Sequence, residues 1–394
     1  MNITIQPNKL QGALRIIPSK SQAHRLLICA AFADRETTLH CPETNDDIEA
    51  TAGCLRSIGA EIVRTGAGYQ ITPIKQVPDT ASMDCGESGS TLRFLLPIVG
   101  ALGIDTTFLL SGRLPKRPLS PLWEEMCRMG CNLSRPSETT IHCQGQLRCG
   151  AYIIDGGVSS QFITGLLFAI SLLEGDSTIS ITGNTESIPY IKMTQQALLL
   201  FGIKTDGYTV HTPHRFITPG VVTVEGDWSN GAFFLAANAL GSQIEISALD
   251  PNSPQGDRIC SDWIPKLDDH CVIYAGDIPD LVPILSVVAA AKKGATFENI
   301  HRLRLKESDR VQSVISMLNT LGIDAEATEN SLRVYPGTFH GGTVDSFFDH
   351  RIAMAAAIAA TAADGPVTIL NAECVAKSYP KFWEEYKRLG GKYE

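Results

Sequence analysis

The chain has 394 residues, 44% of them apolar and 19% charged, a balance that excludes disorder and leaves room for two ordinary domains with their own cores. Its 33 lysines and arginines against 42 aspartates and glutamates give a formal charge of −9, which speaks against a broad nucleic-acid or anionic-membrane surface, so any anion site must be local. The opening MNITIQPNKL has neither the basic start nor the apolar core of a signal peptide, and the apolar stretch IAMAAAIAATAA from Ile352 is only about half a membrane span, so a cytoplasmic protein is expected.

The first element expected is a helix at PSKSQAHR (18–25) and LLICAAFA. Helical angles put Ala23, Leu26, Leu27 and Ala30 on one face and Ser21, His24 and Arg25 on the other, with Ser21 as the cap and Lys20 just outside. Free N–H groups beside a lysine and an arginine make an anion site, although a well-capped surface helix reads equally well from this segment alone. LRSIGAEI (55–62) then introduces a recurring pattern, an amphipathic helix ending in glycine and followed by a short strand. CGESGSTLRFLL (85–96) runs from a glycine-rich turn into a helix carrying Arg93, without the lysine of a nucleotide-binding P-loop. A cationic loop, GRLPKRPLSP, holds Lys116 and Arg117. EEMCRMGCNL (124–133) repeats the helix–glycine–strand pattern. Its Cys127 and Cys131 lie a helical turn apart, but eleven cysteines without a CxxC fit neither a disulfide framework nor a zinc site, so reduced thiols are expected.

GGVSSQFITGLLFAISLLEG (156–175) puts Ser159, Ser160 and Gln161 at another helix start, and LLLFGIKT (198–205) is a third copy of the pattern. A domain change falls near Glu225 in VEGDWSNGAF, and IPKLDDHCVI (264–273) is a degenerate copy with Asp268 in place of glycine. RLRLKESDRVQSVISML (302–318) reads as a short strand, then Lys306 and Glu307, then Ser308 as cap with Arg310 in the first turn. MLNTLGIDAE (317–326) and YKRLGGKYE (386–394) complete six copies; between them FFDHRIAM places His350 and Arg351 behind the cap Asp349, and CVAKSYPKF presents Lys377. Six copies imply one helix-and-strand unit repeated, three before Glu225 and three after it. Arginines in first helical turns run against the helix dipole, so something anionic should compensate them. The expected site is a cationic cleft between two domains that takes multiply charged small molecules.

The motifs PSKSQAHR, ESGSTLR, KRP, GGVSSQF, SIPY, IPD, LKESDR, FDHRIAM and AKSYP follow one another in the order and rough spacing of the 5-enolpyruvylshikimate-3-phosphate synthase family, which the whole chain resembles. The resemblance implies an α/β fold, a two-domain inside-out α/β barrel of six repeated βαβαββ units. The domains would be 13–225, and 1–12 with 226–394, with the active site in the cleft between them. It implies transfer of the enolpyruvyl group of phosphoenolpyruvate to the 5-hydroxyl of shikimate-3-phosphate, with release of phosphate and no metal or organic cofactor. Lys20 would touch both substrates. Shikimate-3-phosphate would be held by Ser21, Arg25, Ser159, Ser160, Gln161, Ser187, Tyr190, Asp280 and Lys306, and phosphoenolpyruvate by Gly89, Arg117, Gln161, Glu307, Arg310, His350, Arg351 and Lys377. Asp280 would be the general base and Glu307 would help protonate the methylene carbon, with Lys20 as the third catalytic group. Read without the resemblance, Asp280 is an ordinary helix-start residue before LVPILSVVAA.

Glu87 stands where the family usually has asparagine, Ser90 where it has threonine, and Arg302 where it often has asparagine. The segment from Leu267 to Asp280 is short, so strands of the fourth repeat are expected to be missing or irregular. The alternative is the sister transferase that acts on UDP-N-acetylglucosamine, which typically carries a cysteine in its mobile loop; SGRLPKRPLSP (111–121) has none. A nucleic-acid binder built on the same unit is disfavoured by the acidic balance and 7% aromatic content. Partners are expected to be the two small substrates alone, with no nucleic acid or membrane, and the protein a monomer.

Overall fold

A computed structural model describes all 394 residues, Met1 to Glu394. The chain begins with two strands, β1 (Ile3–Gln6) and β2 (Gln11–Arg15), that pair with strands from beyond residue 240. It continues through α1 (Lys20–Ala31), β3 (Thr37–His40), α2 (Asp46–Ser57), β4 (Glu61–Thr65) and β5 (Gly68–Thr72). Next come β6 (Thr80–Asp84), α3 (Gly89–Leu102), β7 (Asp105–Leu109), α4 (Leu122–Arg128), β8 (Cys131–Ser137) and β9 (Thr140–Gly145). A third run holds β10 (Ala151–Asp155), α5 (Ser160–Ile170), β11 (Ser177–Thr182), α6 (Ile188–Leu200), β12 (Thr205–Asp206) and β13 (Thr209–Val210), closed by β14 (Val221–Thr223).

The remainder comprises α7 (Trp228–Ala239), β15 (Gln243–Ser247), α8 (Cys260–Lys266), β16 (Cys271–Tyr274), α9 (Val282–Ala291), β17 (Ala295–Glu298), α10 (Arg310–Thr320), β18 (Ala325–Ala327) and β19 (Ser331–Val334). Last are β20 (Gly342–Asp345), α11 (His350–Ala360), β21 (Val367–Leu370), α12 (Phe382–Arg388) and β22 (Lys392–Tyr393).

Five four-stranded sheets share one plan, a parallel pair flanked by an antiparallel hairpin: β14-β3-β5-β4, β6-β7-β9-β8, β10-β11-β13-β12, β16-β17-β19-β18 and β20-β21-β1-β22. This is the βαβαββ unit, with β14 and β1 supplied from distant parts of the chain. The remaining sheet, β15-β2, has only its parallel pair. Its second helix, α8, ends at Lys266, and Cys271–Tyr274 already pairs with β17 as the first strand of the next unit. Residues 267–270 cannot hold a hairpin. The degenerate copy is therefore a truncated unit, and IPKLDDHCVI joins two repeats rather than spanning one.

Met1–Ile17 with Glu225–Glu394 form one compact unit and Pro18–Val224 the other, each with its own apolar core. The expected boundary at residue 13 moves to Pro18, and Glu225 joins the later segment. Strand β2 pairs with β15 from Gln11↔Gln243 to Arg15↔Ser247, and Leu14, Ile16 and Ile17 are buried in that core. Within each unit the first helix of every repeat is internal: α1, α3 and α5 in one, α7, α9 and α11 in the other. All 11 residues of α11 are buried, so the apolar run that falls short of a membrane span is a core helix whose alanines let neighbours approach. No helix is long and apolar enough to cross a membrane.

The glycines after α2 and α10 take the left-handed conformation that ends these helices, at φ +106° for Gly59 and +81° for Gly322. All eleven cysteines are free thiols, and Cys127 and Cys131 lie on α4 and β8, not on one helix.

Candidate active site

The internal helices present their N-terminal ends with the polar residues singled out above, and each unit gathers them differently. In the unit Pro18–Val224, Ser19 caps α1 by accepting from the Gln22 amide at 3.4 Å. Ser21 is therefore inside the first turn rather than at the cap, and Lys20 is the first helical residue rather than a flanking one. Lys20 Nζ lies 2.9 Å from Asp47 Oδ2, in the acidic first turn of α2. Arg25 is buried, and its guanidinium ties three helices together. Nε donates to Thr194 Oγ1 at 2.9 Å, Nη2 to the Tyr190 carbonyl at 2.9 Å and Nη1 to the Ser21 carbonyl at 2.5 Å, over the Phe94 ring at 5.1 Å. Burial lowers its pKa to about 10, so it remains a cation at neutral pH. Ser187 opens α6 in the left-handed region at φ +56°, and the Tyr190 amide donates to its carbonyl at 3.0 Å.

A second group forms around α3 and α5. Ser159 caps α5 by accepting from the Gln161 amide at 3.3 Å, at the helix start expected there. Gln161 Nε2 donates to Ser90 Oγ at 2.9 Å, and its Oε1 accepts from Arg93 Nη1 at 2.7 Å. Arg93 also donates to the Pro118 carbonyl at 3.1 Å, in the cationic loop. Gly89 lies beneath two guanidiniums: a Cβ there would stand 2.8 Å from Arg117 Nη1 and 3.1 Å from Arg93 Nη1. Only glycine lets both cations settle over the start of α3. Glu87 packs its carboxylate against Gly112 of the same loop, bringing a negative charge near this group.

In the other unit the cations meet carboxylates. Arg310 is the first residue of α10, capped by Asp309, which accepts from the Val311 and Gln312 amides at 3.1 and 3.3 Å. The expected cap, Ser308, is instead buried and donates to Asp349 Oδ2 at 3.0 Å, because the chain turns one residue later. Arg310 keeps 1% of its side chain exposed and reaches three carboxylates: Asp280 Oδ1 at 2.6 Å, Glu307 Oε2 at 2.8 Å and Asp349 Oδ2 at 2.8 Å. Burial opposes its charge, but Asp349, Asp280 and Glu307 outweigh burial and hold the guanidinium well above its usual pKa.

Asp280 also faces Lys306 Nζ at 3.7 Å and Arg351 Nη2 at 3.6 Å. Burial alone would raise its pKa, yet Lys306, Arg310 and Arg351 together bring it well below the ordinary carboxylate range. Lys306 is itself lowered to about 8, chiefly by burial and only partly offset by Asp280. Three cations share one carboxylate, so the carboxylate gains more than any single cation does. Asp349 caps α11 as expected, accepting from the Arg351 amide at 2.9 Å, and lies 3.8 Å from His350 Nδ1. Lys377 is buried at the end of a turn, beside Ser378, whose hydroxyl accepts from Asn230 at 3.1 Å.

The structure therefore collects Lys20, Ser21, Arg25, Ser187 and Tyr190 in one cluster, and Gly89, Arg117, Ser159, Ser160 and Gln161 in a second. Asp280, Lys306, Glu307, Arg310, His350 and Arg351 form the third. Asp47, the bridging by Arg93, and the double duty of Asp349 as cap and counter-charge escape sequence reasoning. Asp47 and Asp349 read locally as acidic first-turn or cap residues, and only long-range folding gives them cationic partners.

A family model described as EPSP synthase (3-phosphoshikimate 1-carboxyvinyltransferase) matches residues 5–386. The 3-phosphoshikimate 1-carboxyvinyltransferase of Clostridium kluyveri is 38% identical over 420 aligned residues, covering 100% of this chain and 98% of that protein. That of Clostridium acetobutylicum is 38% identical over 419, covering 99% and 97%. Among solved structures, an EPSP synthase from Acinetobacter baumannii superposes with a TM-score of 0.80 at 24% identity, covering 100% of this chain and 99% of that one. The enolpyruvyl transferase NikO from Streptomyces tendae reaches 0.75 at 18% identity, covering 100% and 98%. The structural likenesses establish the enolpyruvyl transferase fold.

Proposed function

Because the chain belongs to the EPSP synthase family, we propose that the clusters described above divide the labour of a single reaction. The enzyme is a 3-phosphoshikimate 1-carboxyvinyltransferase: it transfers the enolpyruvyl group of phosphoenolpyruvate to the 5-hydroxyl of shikimate-3-phosphate and releases phosphate. In our reading Lys20, Ser21, Arg25, Ser159, Ser160, Gln161, Ser187 and Tyr190 hold shikimate-3-phosphate, together with Asp280 and Lys306. Lys20, Gly89, Arg117, Gln161, Glu307, Arg310, His350, Arg351 and Lys377 hold phosphoenolpyruvate.

The observation that supports this division most directly is the charge state of Asp280. A carboxylate kept ionised by Lys306, Arg310 and Arg351 is ready to take the 5-hydroxyl proton. Removing that proton leaves an alkoxide to attack C2 of phosphoenolpyruvate while the methylene carbon gains a proton from the Glu307 side, giving a tetrahedral intermediate; cleavage of its C–O bond to phosphate with loss of a proton from the new methyl group then releases phosphate and restores the enol double bond. An anion that engages Arg310 competes with Asp280 and Glu307 for it. A carboxylate that loses its guanidinium partner becomes the better base, so arrival of phosphoenolpyruvate itself would prime proton transfer. A monomer in the cytoplasm completes this reading.

Phosphate release measured with both substrates, and again with UDP-N-acetylglucosamine as acceptor, tests the reading. Release is expected with shikimate-3-phosphate; release only with the sugar nucleotide would move the enzyme to the sister activity.

A further inference from the structure

We infer that Asp257 and Ser229 are positioning residues that hold Arg351 back from Asp280, leaving the guanidinium open to an anion and one oxygen of the carboxylate open to a proton. The inference rests on the roles proposed above for Arg351 and Asp280.

The two oxygens of Asp280 are not equivalent. Oδ1 takes Arg310 Nη1 at 2.6 Å, whereas Oδ2 meets Arg351 Nη2 only at 3.6 Å, beyond hydrogen-bonding distance. A guanidinium this near a carboxylate ordinarily closes to a short pair. Arg351 is restrained on its other side. Its Nη1 donates to the Ser229 carbonyl at 2.9 Å, and its guanidinium lies over the Phe233 ring at 5.7 Å.

Ser229 is in turn fixed. It is the second residue of α7, and its hydroxyl donates to Asp257 Oδ2. The segment that carries Asp257 clamps the same helix start: Gln255 Oε1 accepts from the Trp228 amide at 3.1 Å and Gln255 Nε2 donates to the Gly226 carbonyl at 2.8 Å. Asp227 caps the helix by accepting from the Asn230 amide at 2.8 Å. Asp257 thus acts on Arg351 through one side chain and one carbonyl.

The charge of Asp257 is the informative feature. The residue is 1% exposed, and burial followed by the like charge of Asp280 pushes its pKa up to about 6, with Asp227 adding to the rise and Ser229 and Arg351 opposing it. Cys260 also lies within its field. An asparagine could accept the Ser229 hydroxyl without the cost of an ionised group; what it would lack is the negative charge that draws Arg351 toward Ser229 and away from Asp280.

The test is the steady-state kinetics of Asp257→Asn and Ser229→Ala, read by phosphate release with each substrate varied in turn. Asp257→Asn is expected to lower kcat/KM for phosphoenolpyruvate about tenfold and to leave KM for shikimate-3-phosphate within about twofold. Its thermal midpoint at pH 7.5 should rise by about 4 °C because the buried charge is gone. Ser229→Ala should shift phosphoenolpyruvate kinetics in the same direction. Unchanged phosphoenolpyruvate kinetics in either variant overturns the inference, and so does an equal loss for both substrates with a lowered midpoint. A wild-type enzyme that releases no phosphate would instead sink the functional reading on which the inference rests.

Discussion

The two units handle positive charge in opposite ways. In Pro18–Val224 the buried Arg25 donates to neutral groups, the Thr194 hydroxyl and the carbonyls of Tyr190 and Ser21, and Arg93 donates to the Gln161 side chain and the Pro118 carbonyl. In the other unit Arg310 is surrounded by Asp280, Glu307 and Asp349. Neutral partners leave a net positive charge, which suits a receptor that waits for a dianion. Carboxylate partners cancel the charge and create titratable groups whose proton affinity changes when the cation is diverted. Lys20, paired with Asp47, shows that the first unit also uses a carboxylate partner.

The contrast can be broken at its most exposed point. Asp280→Asn should reduce phosphate release about 1000-fold at saturating substrate while circular dichroism stays unchanged; a loss under tenfold would remove Asp280 from proton transfer. Arg310→Lys should destabilise the fold by about 3 kcal/mol, read as a lower urea midpoint, because a lysine cannot reach three carboxylates and leaves the buried Asp349 poorly paired.

The matching change in the neutral cluster, Arg25→Lys, is expected to raise KM for shikimate-3-phosphate about tenfold with little effect on phosphoenolpyruvate. Equal effects on both substrates would erase the division between clusters.

The pH dependence sharpens the comparison further. Asp257 holds its proton up to about 6 in the fold, well above an unfolded aspartate near 3.9. The folded state therefore binds more protons between those values, and wild-type stability should fall as pH rises from about 4 to about 6. Asp257→Asn should lack this slope, so melting curves of the two proteins diverge across that window. The smallest effect concerns Glu87. Replacing it with asparagine takes an exposed negative charge away from the Gly89 and Arg117 group and should lower KM for phosphoenolpyruvate about twofold.

The helix starts were largely legible because capping is a local interaction. Asp349 caps where the sequence places it, while Ser21 and Ser308 each yield to a neighbour, Ser19 and Asp309. A polar run such as SKS or KESD offers several competent caps within one turn, and the choice among them depends on how the preceding loop is anchored. The glycine-ended helices revealed the repeat for the same local reason. The loss of a hairpin after α8 was foreshadowed by the short span from Leu267 to Asp280 and by the missing glycine at Asp268.

What the sequence alone determined is thus the material at each helix mouth: hydroxyls, arginines, lysines and acids in turns where the dipole favours anions. Which of them become partners was decided by the tertiary structure. Arg310 meets residues from 280, 307 and 349, and Arg25 meets residues from 164, 190 and 194. Periodicity and capping act over three or four residues, a range that reaches Glu307 from Arg310, whereas the pairs with Asp280 and Asp349, and those of Arg25, form only when elements distant in the chain pack together. The burial that comes with that packing is what turns ordinary charges into groups with shifted proton affinity.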